Sequence, residues 1–188
     1  DAELSENFTI SHIGSLLNDR NPKALWEVLS ELIEENPVFK DFFELRLIGK
    51  VSESVLKSAY KVGLKPYISV IGYLNHKDAV ESQKSSQMLL LIEIDKPETR
   101  GIIPGKVFEY LAAKRPILAI GPEGWDVEKI ISDTNSGAYF TYSDKLKLKS
   151  HLQESFQSFL NGKLKANTKN IEQYSRRQLT QNLTELIH

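Results

Sequence analysis

Apolar runs of strand length, each followed by a stretch spaced for a helix, constrain this chain more than any other feature. Phe8–Gly14 (FTISHIG) is a first strand, and Pro22–Glu35 behind it carries Leu25, Trp26, Leu29, Leu32 and Ile33 at a helical rhythm. Phe43–Gly49 (FELRLIG) is a second strand, followed by a short helix over Ser52–Tyr60 with Ser52 at its N-cap. Ile68–Leu74 and the helix His76–Gln83 come next, then the most apolar strand, Gln87–Ile94. Pro104–Ala113 reads as a helix with proline near its first turn, where a missing N–H costs nothing. Pro116–Gly121 and Gly137–Tyr142 are the last strands, with a helix over Trp125–Ser132 between them. Asp144–Leu160 and Asn167–Ile187 are expected as closing helices. Alternation of this kind needs right-handed crossovers and a parallel sheet covered on both faces. The runs MLLLI and PILAI agree, because central parallel strands are buried on both sides. The expected fold is a doubly wound α/β sheet of about six parallel strands with the first strand central, in one domain over 1–188.

Composition narrows the function by exclusion. The chain has 188 residues, of which 40% are hydrophobic and 26% charged, enough to bury a core without staples. It has no cysteine, which excludes disulfides, thiolate metal sites and a cysteine nucleophile, and fits a reducing cytosol. A net charge of -1 gives no footprint for non-specific nucleic-acid binding, so no nucleic-acid partner is expected. No apolar run reaches the ~20 residues that span a bilayer. The four histidines, His12, His76, His151 and His188, lack metal-ligand spacing, and no metal or cofactor is expected. After the first strand the chain reads GSLLND, which is not the G-x-G-x-x-G of a dinucleotide site. Neither a P-loop nor a G-x-S-x-G elbow occurs. His12 is expected to be structural, and Trp26 and Trp125 to be packing residues.

Ligands of open parallel sheets bind at the carboxyl ends of the strands. Gly14, Gly49, Gly72, Gly121 and Gly124 mark that edge, either as turns or as points of close approach. The most informative segment is Gly101–Gly121, GIIPGKVFEYLAAKRPILAIG. A loop ending in Pro-Gly opens a helix, whose unpaired N–H groups and partial positive charge suit phosphate. Lys106 in that first turn opposes the macrodipole, an arrangement that an anionic ligand would explain. Glu109 lies one turn on. An exposed Lys106–Glu109 pair worth a few tenths of a kcal/mol explains the two residues equally well.

The segment resembles the donor-site signature of retaining glycosyltransferases of the GT-B fold, in the group similar to glycosyltransferase family four. The pattern P-x-K-x-x-E-Y-x-A-x-x-x-P-[IV] is met in register by Pro104, Lys106, Glu109, Tyr110, Ala112 and Pro116. HIGSLL, LRLIG, VIGYLNHKD and SGAYFTY are similar to segments of the same family's C-terminal half. The resemblance implies that Glu109 binds the ribose hydroxyls and that Lys106, with the Gly105–Lys106 backbone, lies near the diphosphate. Gly14 and Ser15 would let the donor approach the first turn. Arg20 would be a second diphosphate cation, and the turn at Gly72–Tyr73–Leu74 would face the base. Gly101 stands where the family often has a glutamate reaching the donor sugar, and Gly14–Ser15 where it often has Gly-Arg. Further implications are a hexosyltransferase of glycan or polysaccharide synthesis, working in the cytoplasm or at the inner face of the membrane. Its partners would be a nucleoside-diphosphate sugar, an N-terminal acceptor domain, and an acceptor glycan or lipid-linked glycan. A start at Asp1 fits a chain cut at the linker between the two domains. The alternatives are a nucleotide-sugar epimerase of the same fold and an inactive nucleotide-sugar-binding module.

Overall fold

A computed structural model describes residues 2–174. Six strands, β1 (Phe8–Ile13), β2 (Phe43–Ile48), β3 (Ile68–Ile71), β4 (Met88–Ile92), β5 (Ile117–Gly121) and β6 (Gly137–Thr141), form one sheet. Every pairing is parallel and the order is β3-β2-β1-β4-β5-β6, with β1 central as expected. The order reverses between β1 and β4. Crossovers leave these two strands in opposite directions, and a crevice opens above their carboxyl ends.

Among the described residues the helices are α1 (Lys23–Glu35), α2 (Pro37–Phe42), α3 (Glu53–Lys61), α4 (His76–Ser85), α5 (Lys106–Ala113), α6 (Asp126–Thr134) and α7 (Lys145–Leu160). On one face of the sheet, Leu25, Leu29 and Leu32 of α1 and Leu152 and Phe156 of α7 meet Phe8, Ile10, Leu45 and Leu90. Phe8 sits edge-on to Phe39 and Phe156, with ring centroids 5.8 and 5.3 Å away. On the other face, Val107, Tyr110 and Leu111 of α5 and Val127, Ile130 and Ile131 of α6 cover Ile13, Leu89, Leu91 and Ala119. Both faces of β1 are therefore buried, including the polar Thr9, Ser11 and His12. Each of these three is hydrogen-bonded: Thr9 Oγ1 accepts from Gln87 N, Ser11 Oγ from Ser86 Oγ, and His12 Nδ1 meets Leu90 O.

The structure departs from expectation in four places. α2 has no amphipathic period long enough to announce it, and it exists because Asn36 caps it through Val38 N and Phe39 N while Pro37 presets its first turn. Ser52 occupies the N-cap position of α3 but makes no side-chain cap bond; its Oγ lies 3.4 Å from Ser54 Oγ. α5 begins at Lys106, so Pro104 precedes the helix and Gly105 is its N-cap. No helix begins at Asn167: a short 3-10 turn forms at Ile171–Tyr174, and the rest of that expected helix, with Leu179 and Leu183, lies outside the described residues. Tyr174, at the end of that turn, is half-buried against Phe108, with ring centroids 6.1 Å apart.

Candidate functional site

Three strand-end turns line up at the carboxyl edge. Gly49 N donates to Ile71 O and Gly72 O, and Gly14 N to Ile48 O. Gly49 has φ +111°, and a Cβ there would stand 2.6 Å from Gly14 O, so this glycine is required by turn-on-turn packing. Gly121 is explained similarly, because a Cβ would stand 2.4 Å from the Trp125 ring. Gly14 differs. Its φ is +143°, and a first side-chain carbon there would lie 3.8 Å from His12 Nε2 and 4.0 Å from Lys106 Cε. The first turn thus lies open between a buried imidazole and the N-terminus of α5.

At that N-terminus the loop 101–105 is pinned from α6. Trp125 Nε1 donates to Ile102 O at 2.6 Å, and Asp126 N to Arg100 O at 2.9 Å. Asp126 Oδ2 is 3.9 Å from where a Cβ on Gly101 would be, so a carboxylate stands beside this glycine. Of the first amides of α5, Val107 N bonds Pro104 O and Phe108 N bonds Gly105 O. The N–H groups of Gly105 and Lys106 carry no backbone bond among the described residues, and they remain as donors at the positive end of the helix.

Lys106 and Glu109 do form the pair that the spacing allows, at 2.9 Å and with 36% and 38% of their side chains exposed. The pair is not the whole arrangement. Gln83, on α4 and only 2% exposed, donates through Nε2 to Glu109 Oε2 at 2.9 Å, the same oxygen that Lys106 contacts. Both bonds fall on Oε2, and among the described residues Oε1 has none. Partial burial pushes the Glu109 carboxyl up. The bonds from Lys106 and Gln83, with the charges of Lys106 and His76, outweigh burial and hold it below the ordinary carboxylate value. It is ionised at neutral pH, with one oxygen open to hydroxyl donors.

His12 is neutral. Burial pushes it down to about 4, against the backbone bond to Leu90, and the positive Arg20 and Lys106 push the same way. Leu90 O can only accept, so the proton sits on Nδ1 and Nε2 is a buried acceptor with no partner among the described residues. Arg20 is committed to Glu93, which is 1% exposed: Nη2 and Nε reach Glu93 Oε1 at 2.9 and 3.3 Å. Oε1 also accepts from Ile94 N at 2.8 Å. Ser15, Gly72 and Gly101 are exposed, and Tyr73 at 91% projects freely from the turn after β3.

The structure therefore gathers Gly14, Gly105, Lys106 and Glu109 into one open site. It puts Ser15 and Arg20 on the first turn beside it, Gly72 and Tyr73 on the turn leading to α4, and Gly101 against α6. Sequence reasoning missed Gln83 and Glu93. The available signal for Gln83 was that α4, HKDAVESQKS, lacks an apolar stripe and so must dock by polar groups. No group of three or more His, Cys, Asp or Glu side chains suited to a metal occurs among the described residues.

No family model matches the sequence, and no curated protein matches it. Solved structures do match in fold. TarM from S. aureus, solved in complex with UDP among other ligands, superposes with a TM-score of 0.63 at 12% identity, over 87% of this chain and 31% of that one. HepE from Anabaena, solved in complex with UDP, gives 0.63 at 11% identity, over 84% and 41%. The C-terminal domain of LpcC, a glycosyl transferase group 1 family protein from Francisella tularensis, gives 0.59 at 12% identity, over 88% of this chain and 90% of that domain. The chain spans 31% of TarM and 41% of HepE but nearly the whole of the excised domain. The fold it shares with them is the Rossmann-like fold of the C-terminal half of GT-B structures.

Proposed function

We propose that the chain is the donor-binding domain of a glycosyltransferase that moves a sugar from a nucleoside-diphosphate sugar to an acceptor in glycan or polysaccharide synthesis. One observation carries this reading. At the β1/β4 switch point, an ionised Glu109 with a free oxygen stands one turn from two unpaired backbone donors and a lysine. A ribose offers vicinal hydroxyls to such a carboxylate, and a diphosphate offers anionic oxygens to such a helix end. The diphosphate would draw Lys106 away from Glu109, exchanging an exposed ion pair of little worth for a contact with ligand. The fold that this chain shares with UDP-bound TarM and HepE supports the same ligand class.

In this reading Tyr73 and the turn around Gly72 lie on the base side, and Gly14 admits the diphosphate. Asp126 stands where a carboxylate toward the donor sugar would be useful, since Gly101 cannot supply one. The acceptor would be held by an N-terminal domain, no metal would be needed, and the full enzyme would work in the cytoplasm or at the inner membrane face. The exposed apolar residues Leu17, Ile102 and Ile103, on the turn after β1 and the loop before α5, support a partner domain over this edge.

The test is Glu109→Ala. Nucleoside diphosphate affinity should fall by about 1–3 kcal/mol, the range for a charge-assisted hydrogen bond, with the fold retained. Calorimetry showing unchanged affinity would return Glu109 to a surface ion pair.

A further inference from the structure

We infer that Gln83 is the positioning residue for Glu109, and that through it α4 couples the base-side turn to the ribose-side carboxylate. The inference rests on the ribose role of Glu109 proposed above. Gln83 is the only buried residue of α4, and a buried primary amide is costly unless its hydrogen bonds are made. It gives an N–H to Glu109 Oε2 at 2.9 Å. Lys106, the other donor to that oxygen, also reaches the first turn, its Cε 4.0 Å from where a Cβ on Gly14 would stand. Once a diphosphate engages Lys106, Gln83 is the donor left to hold the carboxylate, and Oε1 keeps its aim at the hydroxyls. A neutral amide suits this task, because it orients the carboxylate without cancelling the charge that strengthens the hydroxyl bonds.

The same residue fixes a helix. α4 begins at the Asn75 cap, three residues after Gly72, and none of its other residues is buried. Ser86 Oγ, just past its end, meets Ser11 Oγ at 2.6 Å, and Ala79 is only half-buried. With so little apolar packing, the register of α4 against α5 depends on the Gln83–Glu109 bond, and the placement of Tyr73 depends on that register.

The experiment is calorimetric titration of the 188-residue chain with uridine, guanosine and adenosine diphosphates, then with the 2′,3′-dideoxy analogue of the tightest. The wild type should bind the dideoxy analogue about tenfold or more weakly than its parent, as expected for losing hydrogen bonds to a carboxylate. In Gln83→Leu that ratio should collapse towards one, because the parent loses both the hydroxyl and the base-side contacts while the analogue loses only the latter. The preference among the three bases should narrow as well. Gln83→Met, which also preserves volume, repeats the measurement should the leucine variant fold poorly. A retained ratio in both variants overturns the inference. So does an equal weakening of parent and analogue, the signature of a purely structural role for α4. A wild type that binds without discriminating the analogue instead overturns the ribose role of Glu109, and the Gln83 inference falls with it.

Discussion

At the scale of single residues, the site is built from groups whose charge state is set by their neighbours. Glu109 is kept ionised by two donors, and His12 is kept neutral by burial. The histidine has a thermodynamic consequence. Its folded value is depressed to about 4 from 6.5, so the unfolded chain binds the extra proton first as pH falls. Its contribution is fully present above pH 6.5 and is lost progressively as pH falls to about 4, about 3 kcal/mol in all. Denaturant melts between pH 4 and 7 should show this slope, and His12→Asn should flatten it. Asp144, held near 2 by Lys147 and Thr141, acts in the separate window below its ordinary 3.8. An unaltered slope in His12→Asn would assign the acid sensitivity to other groups.

At the scale of elements, the three stacked turns at Gly14, Gly49 and Gly72 position the open end of the sheet. Gly49→Ala meets both a positive φ and the Gly14 carbonyl at 2.6 Å, backbone on either side, so nothing can swing away. It should cost about 2–4 kcal/mol in chemical denaturation and also weaken nucleotide binding, because the Gly14 turn must shift. Gly63→Ala is the control, with φ +87° and nothing within 4 Å; its cost should be the backbone strain alone, about 1 kcal/mol. Equal costs for the two would dismiss the stacking argument. The strands β4 and β5 were legible because strands buried on both faces leave continuous apolar runs such as MLLLI, and the less buried β3 and β6 because shorter apolar runs stand between turn residues. That Lys106 stands at a helix start and pairs with Glu109 was legible from the proline-glycine opening and the i, i+3 spacing. Gln83 was only partly so, since the polar cast of α4 points to docking by polar groups without saying which of them is buried. The role of Gly49 was hidden as well, because its contact is with backbone 35 residues away, which no local pattern records.

At the scale of the whole molecule, the proposed donor contacts would all come from one sheet edge and one helix start, an arrangement that can form without a second domain. Transfer needs an acceptor hydroxyl held about 3–3.5 Å from the anomeric carbon, in a cleft closed to water. Neither requirement is met by a site as open as this one, with Tyr73 91% exposed beside it. The 188-residue chain should therefore bind donor, gaining about 2.7 kcal/mol of stability at ligand 100-fold above its dissociation constant, yet give at best slow donor hydrolysis. Robust transfer to an acceptor by the purified chain, measured by product formation, would refute this division of labour.

The strand order also sets when the site can come into being. β1, β2 and β3 are made first and pair among themselves, but the crevice lies on the seam between β1 and β4. That seam is closed by contacts such as His12–Leu90 and Ile13–Tyr110, 78 and 97 residues apart in the chain. A growing or half-folded chain can thus pair β1, β2 and β3 and still lack the crevice in which the proposed nucleotide site lies. Competence for ligand arrives only with the slowest, most distant strand pairing, which makes binding a late checkpoint on the assembly of the sheet.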